Sequence, residues 1–126
     1  MEPLQSTPDI ERLLAGAVRI CPGVVEALLV DSEGALVDVH APGGGSDPAV
    51  VAGETMAAVP ALGRVAAAAR LGRPSEWLMV GERGTLLVHR VGRLELFLIL
   101  CVTAQEYVGR ARFAARVVAG RLLEIL

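Results

Sequence analysis

The sequence predicts an α+β domain in which a five-stranded antiparallel sheet carries helices on both faces, in the order α-β-β-α-β-β-β-α. Three observations support this fold class. Segments 24–30 and 94–102 are apolar almost throughout, which is typical of central strands covered on both faces. Short glycine-containing turns separate the predicted strands at hairpin spacing. Three other segments have apolar residues three and four positions apart, as amphipathic helices do, so helices and sheet are expected to pack as layers.

The first third of the chain contains a helix and a hairpin. A helix is predicted over 8–21, because a hydroxyl cap, a proline and acidic residues are typical of a helix start and a Pro-Gly pair follows its end. The buried strand 24–30 leads through a turn at 31–34 into a strand over 35–40, whose apolar and polar residues alternate. Residues 1–7 are expected to be flexible.

A glycine-rich loop over 41–47 precedes the second helix. Such loops can cradle phosphates, but this one lacks the lysine of a phosphate-binding motif, and the whole sequence has no lysine. We therefore expect a simple connection, with no nucleotide and no other cofactor. Asp47 and Pro48 begin a helix that continues to about Arg70, and Pro60 should kink or locally break it. One stripe of this helix would consist of Val51, Thr55, Ala58, Leu62, Val65 and Ala69.

The second half of the chain consists of three strands and a closing helix. The strands are predicted over 76–80, 85–91 and 94–102, with tight turns at 81–84 and 92–93. Thr103 and Glu106 have the spacing of a capping box, which predicts that the last helix starts there. The apolar seam of that helix would be Val108, Ala111, Ala115, Val118, Leu122 and Ile125.

Length and composition restrict the class of protein. The 126 residues suit a single domain over 1–126, large enough to form a core without a metal or disulfide. Mean hydropathy is high, at +0.53, but no apolar run approaches the roughly 20 residues that span a bilayer. The amino terminus does not resemble a secretory signal. We expect a cytoplasmic protein with no membrane partner.

The charge distribution and the spacing of reactive residues exclude further classes of protein function. The first 63 residues carry nine acids and two arginines, whereas the last 63 carry ten arginines and five acids. Those arginines are dispersed and have no interleaved aromatic residues, so we expect no nucleic-acid partner. Cys21, Cys101, His40 and His89 do not have metal-ligand spacing, and no nucleophile has an identifiable base. We expect neither an enzyme nor a small-molecule substrate.

Three short blocks are shared with a known family. Residues 22–34 form a strand followed by Asp-x-Glu-Gly, residues 81–84 form a second hairpin turn, and residues 106–110 read Glu-x-x-Gly-Arg. Together with the element order, these blocks resemble the Roadblock family of dynein light chains and bacterial GTPase regulators, over about residues 8–126. Profilin-like, longin, PAS and GAF domains have a related layout and remain alternatives for the fold.

The resemblance implies a homodimer in which the third strands pair across a twofold axis into a ten-stranded sheet. The amino-acid sequence of the third strand is consistent with such pairing, since strand 76–80 has no proline or lysine that would block the addition of another strand at its edge. Trp77 and Met79 share one face of the strand and are candidate interface residues, although Trp77 could equally belong to the core. The second helix would contribute Val51, Thr55, Ala58 and Leu62 to the same interface.

The resemblance also implies a partner, a Ras-like small GTPase that docks on the paired second helices. Glu54, Arg64 and Arg70 are its candidate contacts. The leading hypothesis is a homodimeric, non-catalytic bacterial regulator that stimulates GTP hydrolysis by repositioning the switch residues of the GTPase. An arginine finger from Arg64 or Arg70 is a second route. A structural adaptor without effect on turnover is the alternative function, and a PAS- or GAF-like sensor of a small ligand is the third.

Overall fold

The computed structural model describes residues 8–43 and 45–126. The elements in chain order are α1 (Pro8–Ile20), β1 (Val24–Asp31), β2 (Leu36–His40), α2 (Pro48–Ala68), β3 (Glu76–Val80), β4 (Gly84–Arg90), β5 (Leu96–Thr103) and α3 (Val108–Ile125). The predicted fold class and element order are confirmed. The segment 1–7, for which we expected flexibility, lies outside the described residues.

The sheet is antiparallel, with strand order β2-β1-β5-β4-β3. β1 and β5 lie side by side at its centre, with Leu28 opposite Ile99 and Leu29 opposite Leu98. Six of the eight residues in each strand are buried, as their apolar segments predict. Strands buried on both faces require a layer on each side of the sheet.

One face of the sheet is covered by α1 and α3, which also pack against each other. Leu14 of α1 and Ala115 and Leu122 of α3 belong to the larger of two cores, together with Leu98 of β5. The predicted seam of α3 is buried from Ala111 to Leu122, whereas Val108 is half-buried and Ile125 lies exposed.

The other face is covered by α2 alone, and thinly. Ala52, Met56 and Ala66 are its buried residues, and Ala52 and Met56 belong to a small core that contains Leu28 and Phe97. The buried side of α2 is therefore not the predicted stripe, because each buried residue follows a residue of that stripe by one position. The predicted stripe was Val51, Thr55, Ala58, Leu62, Val65 and Ala69. Because small apolar residues occur on most sides of α2, helical spacing does not identify which side contacts the sheet.

α2 is also more continuous than the sequence predicted. It passes through Pro60 without a break. Proline removes one backbone hydrogen bond, the one to the carbonyl group of Met56, and the helix continues despite this loss. Among the described residues, α2 is the one helix long and apolar enough to cross a membrane by length and composition. In this fold it packs on the sheet, and the absence of a membrane partner stays a prediction.

A single carboxylate joins the turns that precede β1 and α3. Glu106 accepts hydrogen bonds from the backbone N–H of Gly23 at 2.9 Å and from that of Tyr107 at 3.2 Å. The predicted capping box of Thr103 and Glu106 is wrong, because α3 begins at Val108 and no side chain caps it. Glu106 thus binds the distant Gly23 as well as Tyr107, the residue that immediately precedes α3.

We expect Glu106→Gln to destabilise the fold more at neutral pH than at acid pH. The hydrogen bond from Gly23 holds the pKa of Glu106 below its usual value. A carboxylate with a lowered folded-state pKa contributes stability above its unfolded pKa of about 4.3, and loses that contribution as the pH falls through the folded-state value. Thermal melts of the two proteins should therefore converge on acidification. A difference that is independent of pH would show that the charge of Glu106 does not matter.

α2 ends in a left-handed residue that is not glycine. Arg70 has a φ of 58°, and the next residue, Leu71, donates its N–H to the carbonyl oxygen of Ala66 at 2.9 Å. This is the hydrogen bond of a Schellman motif, in which glycine is favoured at the left-handed position because it has no Cβ.

Replacing this residue by glycine should stabilise the protein. Arg70→Gly is expected to raise the free energy of unfolding by about 1 kcal/mol, because it removes the strain of a side chain at positive φ. Arg64→Gly, in the interior of the same helix, is the matched control and should lower the free energy of unfolding by about 1 kcal/mol. Urea denaturation followed by circular dichroism measures the free energy of unfolding of both variants. Changes of the same sign in the two variants would contradict the proposed strain at Arg70.

Candidate functional site

β3 is an edge strand with an exposed apolar surface. It pairs with β4 alone, so one row of its backbone N–H and C=O groups has no strand partner. Met79 is 64% exposed and Val80 is 72% exposed. Strands of this kind pair with other strands unless something covers them. At its start, β3 is held to α3 by a hydrogen bond from Arg112 Nε to the carboxylate of Glu76.

The two residues predicted to be interface anchors lie on the α2 side of β3. Trp77 is opposite Val88, and its ring centroid is 6.2 Å from that of Phe97 in a tilted arrangement. Met79 is opposite Leu86 and projects beyond the core. Trp77 is half-buried against the smaller core and also faces the surface beside Met79, and its role as an interface anchor stays a prediction.

A groove of about 610 Å³ runs between α2 and β3. All six residues predicted for a dimer interface line it, namely Val51, Thr55, Ala58, Leu62, Trp77 and Met79. Glu54 is the charged residue in its lining. Because Leu78 and Met79 are exposed, the groove is open to solvent and is not a shielded ligand pocket. The role of these residues in a dimer stays a prediction.

Sequence reasoning missed three residues of the groove, Val50, Leu78 and Leu86. The position of Leu86 could have been predicted from the sequence. The turn at 81–84 sets the register of the hairpin, and that register places Leu86 opposite Met79. Val50 and Leu78 could not be found in this way, because their position depends on how α2 lies across the sheet.

The three predicted contacts to a GTPase do not form one cluster. Glu54 lines the groove, whereas Arg64 is about 15 Å further along the axis of α2 and Arg70 lies beyond its end. All three are exposed, and none makes an ion pair or hydrogen bond among the described residues. Between Glu54 and Arg70, the exposed apolar residues of the outer side are Ala57, Ala61 and Val65. The outer side of α2 is thus an apolar strip with an acid at one end and arginines at the other.

The loop before α2 brings protein carboxylates to the place where a bound phosphate would lie. Asp47 caps the helix, with its carboxylate accepting a hydrogen bond from the N–H of Ala49 at 3.0 Å. Ser46 donates its hydroxyl hydrogen to Glu26, which is only 2% exposed. An anion in this loop would be repelled by both carboxylates. The absence of nucleotide binding stays a prediction, with this physical reason.

The thiols of the two cysteines are held in their protonated form. Burial, and then the carboxylate of Glu26, raise the pKa of the Cys101 thiol to about 12. Burial and Glu106 raise the pKa of Cys21 to about 11, so both thiols are protonated and unreactive at neutral pH. In residues 8–43 and 45–126, no group of three or more His, Cys, Asp or Glu side chains could hold a metal ion. That the chain is not an enzyme stays a prediction.

Solved structures share this architecture over almost the whole chain. An MglB with a tetrameric arrangement has a TM-score of 0.87 and 21% identity, covering 99% of this chain and 96% of its own. The gliding protein MglB of Thermus thermophilus has a TM-score of 0.84 and 20% identity, with coverage of 99% and 97%. A Roadblock/LC7 domain of Streptomyces avermitilis has a TM-score of 0.76 and 18% identity, with coverage of 91% and 95%. The chain has the Roadblock fold.

The resemblance to the Roadblock family is thereby confirmed at the level of the fold. Of the alternatives that the sequence left open, the Roadblock fold is the one that the structure has. No protein-family model matches the sequence, and no curated protein is significantly similar to it. Within the Roadblock fold, the shared block 22–34 contains β1 and its hairpin turn, 81–84 joins β3 to β4, and 106–110 contains the start of α3.

Proposed function

We propose that this chain is a homodimeric, non-catalytic regulator of a Ras-like small GTPase in the bacterial cytoplasm, and that it stimulates GTP hydrolysis by its partner. The observation that carries the proposal is the apolar groove between α2 and the uncovered edge of β3. An exposed apolar surface of this kind suits a protein partner, and the resemblance to the Roadblock family implies that this partner is a small GTPase.

Dimerisation would cover the edge. Antiparallel pairing of β3 with its copy would satisfy the open row of backbone groups and produce a continuous ten-stranded sheet. The same twofold axis would bring the two α2 helices together and bury Met79 and Leu62. Self-association also occurs among proteins of this fold, since one MglB has a tetrameric arrangement.

The GTPase would dock on the outer sides of the paired α2 helices. These sides consist mainly of small residues, with Glu54, Arg64 and Arg70 around an apolar strip. Charges around an interface affect the association rate more than the final affinity, which suits a partner that must be released. Hydrolysis would be stimulated through the switch residues of the GTPase, with an arginine finger from Arg64 or Arg70 as the second route.

Met79→Lys should weaken the dimer. The substitution places a charge at the centre of a buried apolar interface, where desolvation costs about 2 kcal/mol or more. Light scattering is expected to give twice the 13.2 kDa chain mass for the wild type and a lower average mass for the variant. Val39→Lys, at the opposite edge strand β2, is the matched control and should leave the mass unchanged. Equal masses for the Met79 and Val39 variants would place the dimer interface elsewhere.

Reversing two charges on α2 should weaken the GTPase complex and spare the fold. We expect Glu54→Arg combined with Arg64→Glu to lower the affinity about tenfold, measured by titration alongside a thermal melt. Single-turnover GTP hydrolysis by the Ras-like GTPase of the same organism then tests the activity, with and without this protein. Hydrolysis that is unchanged despite tight binding would establish the adaptor function instead.

Alanine variants separate the two routes to stimulation. Loss of an arginine finger lowers the stimulated rate about 10³-fold or more, and Arg64→Ala and Arg70→Ala are the variants to compare. Repositioning of the switch residues predicts a much smaller loss for both. Binding of a small ligand with no GTPase association would favour the sensor function.

A further inference from the structure

Two neighbouring segments concentrate positive charge at one end of the molecule. Segment 70–75 follows α2, and segment 90–95 leads from the end of β4 to β5. The two segments contact each other, since the N–H of Arg90 donates to the carbonyl oxygen of Ser75 at 2.9 Å. Together they contain four arginines and one acidic residue, Glu95. The four arginines, here called the arginine cluster, are Arg70, Arg73, Arg90 and Arg93.

The charge of the arginine cluster is only partly neutralised within the chain. Arg73 Nη2 lies 3.3 Å from Glu95 Oε1, and both side chains are more than half exposed. The pKa of the Arg90 guanidinium is lowered by burial and, after that, by the nearby positive charge of Arg73. The side chains of Arg70 and Arg93 are exposed and make no ion pair or hydrogen bond with a described residue. An excess of positive charge therefore faces solvent at this end of the molecule.

A strained turn presents an apolar residue within the same cluster. Arg70 has a φ of 58°, a conformation that glycine would adopt at lower cost. The residue that follows the left-handed position of such a turn commonly packs on the last turn of the helix, yet Leu71 is 75% exposed. No other large aliphatic residue in the described part of the chain is as exposed. Backbone strain of this kind concentrates at functional sites, so the turn suits binding better than stability.

We propose that the arginine cluster and Leu71 bind an acidic surface of the partner GTPase, an inference that rests on the proposed function. Guanidinium groups bind carboxylates through two parallel hydrogen bonds, and Leu71 adds an apolar contact between Arg70 and Arg73. The ion pair of Arg73 with Glu95 shows that a carboxylate fits this surface, and a carboxylate of the partner takes the same place. The docking surface on α2 thereby continues onto the segment between β4 and β5.

An anionic membrane is the other negatively charged surface that the arginine cluster could contact. Stable anchoring to a membrane takes two signals, such as an acyl chain together with a polybasic patch. The cluster contains only four arginines beside one glutamate, and Leu71 is a single apolar side chain. An acidic protein surface is therefore the favoured occupant, and binding to vesicles is an outcome of the test.

Calorimetric titration compares two double variants with the same change in net charge. The Ras-like GTPase of the same organism, bound to a non-hydrolysable GTP analogue, is titrated with each protein. Arg73→Glu combined with Arg93→Glu should lower the affinity about tenfold or more at low salt. Arg116→Glu combined with Arg121→Glu, at exposed positions of α3, is the matched control and should change the affinity less than about twofold. The affinity of the wild type should fall with added salt more steeply than that of the first variant, because salt screens exposed charges.

Leu71→Ala measures the apolar contact separately from the charges. Because Leu71 is exposed, the substitution should leave the thermal melt unchanged. It should lower the affinity for the GTPase about threefold or more, by a factor that does not depend on salt. Tyr107→Ala, at a residue that is 76% exposed near the start of α3, is the matched control and should leave the affinity unchanged.

The outcomes distinguish this inference from the proposed function. Equal affinities for the wild type and both double variants would overturn the inference and leave the proposed function standing. A wild type that does not associate with the GTPase would overturn both. Co-sedimentation with phosphatidylglycerol vesicles that the wild type shows, and that Arg73→Glu with Arg93→Glu abolishes, would assign the arginine cluster to a membrane and overturn the inference.

Discussion

The burial of β1 and β5 on both faces is the constraint on which the rest of the structure depends. These two strands are adjacent at the centre of the sheet and present apolar side chains to both sides. A sheet with such a centre cannot leave either face in water, because each uncovered leucine or isoleucine would cost about 1.5–3 kcal/mol. α1 and α3 together cover one face of the sheet, and α2 covers the other face alone.

The amino-acid composition of α2 determines how well this helix covers its face of the sheet. Its small residues let it approach the sheet and the first hairpin closely, so that a Cβ atom at Gly34 would lie 3.1 Å from the Cα of Gly53. Small residues also cover little area, and the β3 side of the face is left as an open groove. Val65 remains exposed on the outer side of the same helix. The helix that completes the core therefore leaves an apolar surface that a further protein can cover.

Three carboxylates hold the segments from which the surfaces are built. Glu26 accepts the hydroxyl hydrogen of Ser46 and so fixes the loop before α2. Glu76 accepts a hydrogen bond from Arg112 and fixes the start of β3 against α3. Glu106 accepts the N–H of Gly23 and fixes the turn before α3. Each interaction joins segments at least 20 residues apart, and those of Glu26 and Glu76 support the first residues of α2 and β3, the two elements that form the groove.

By itself, the sequence determined the order of the elements, the two doubly buried strands and the residues of β3 that lie on one face. These features follow from patterns within a few consecutive residues, such as strand alternation, glycine turns and proline after a helix cap. The tertiary structure alone decided which side of α2 contacts the sheet, that the helix continues through Pro60, and that Glu106 binds Gly23 instead of capping α3. The reason is that a helix with small apolar residues on most sides has no preferred face, and a carboxylate finds its partner only after distant segments have packed.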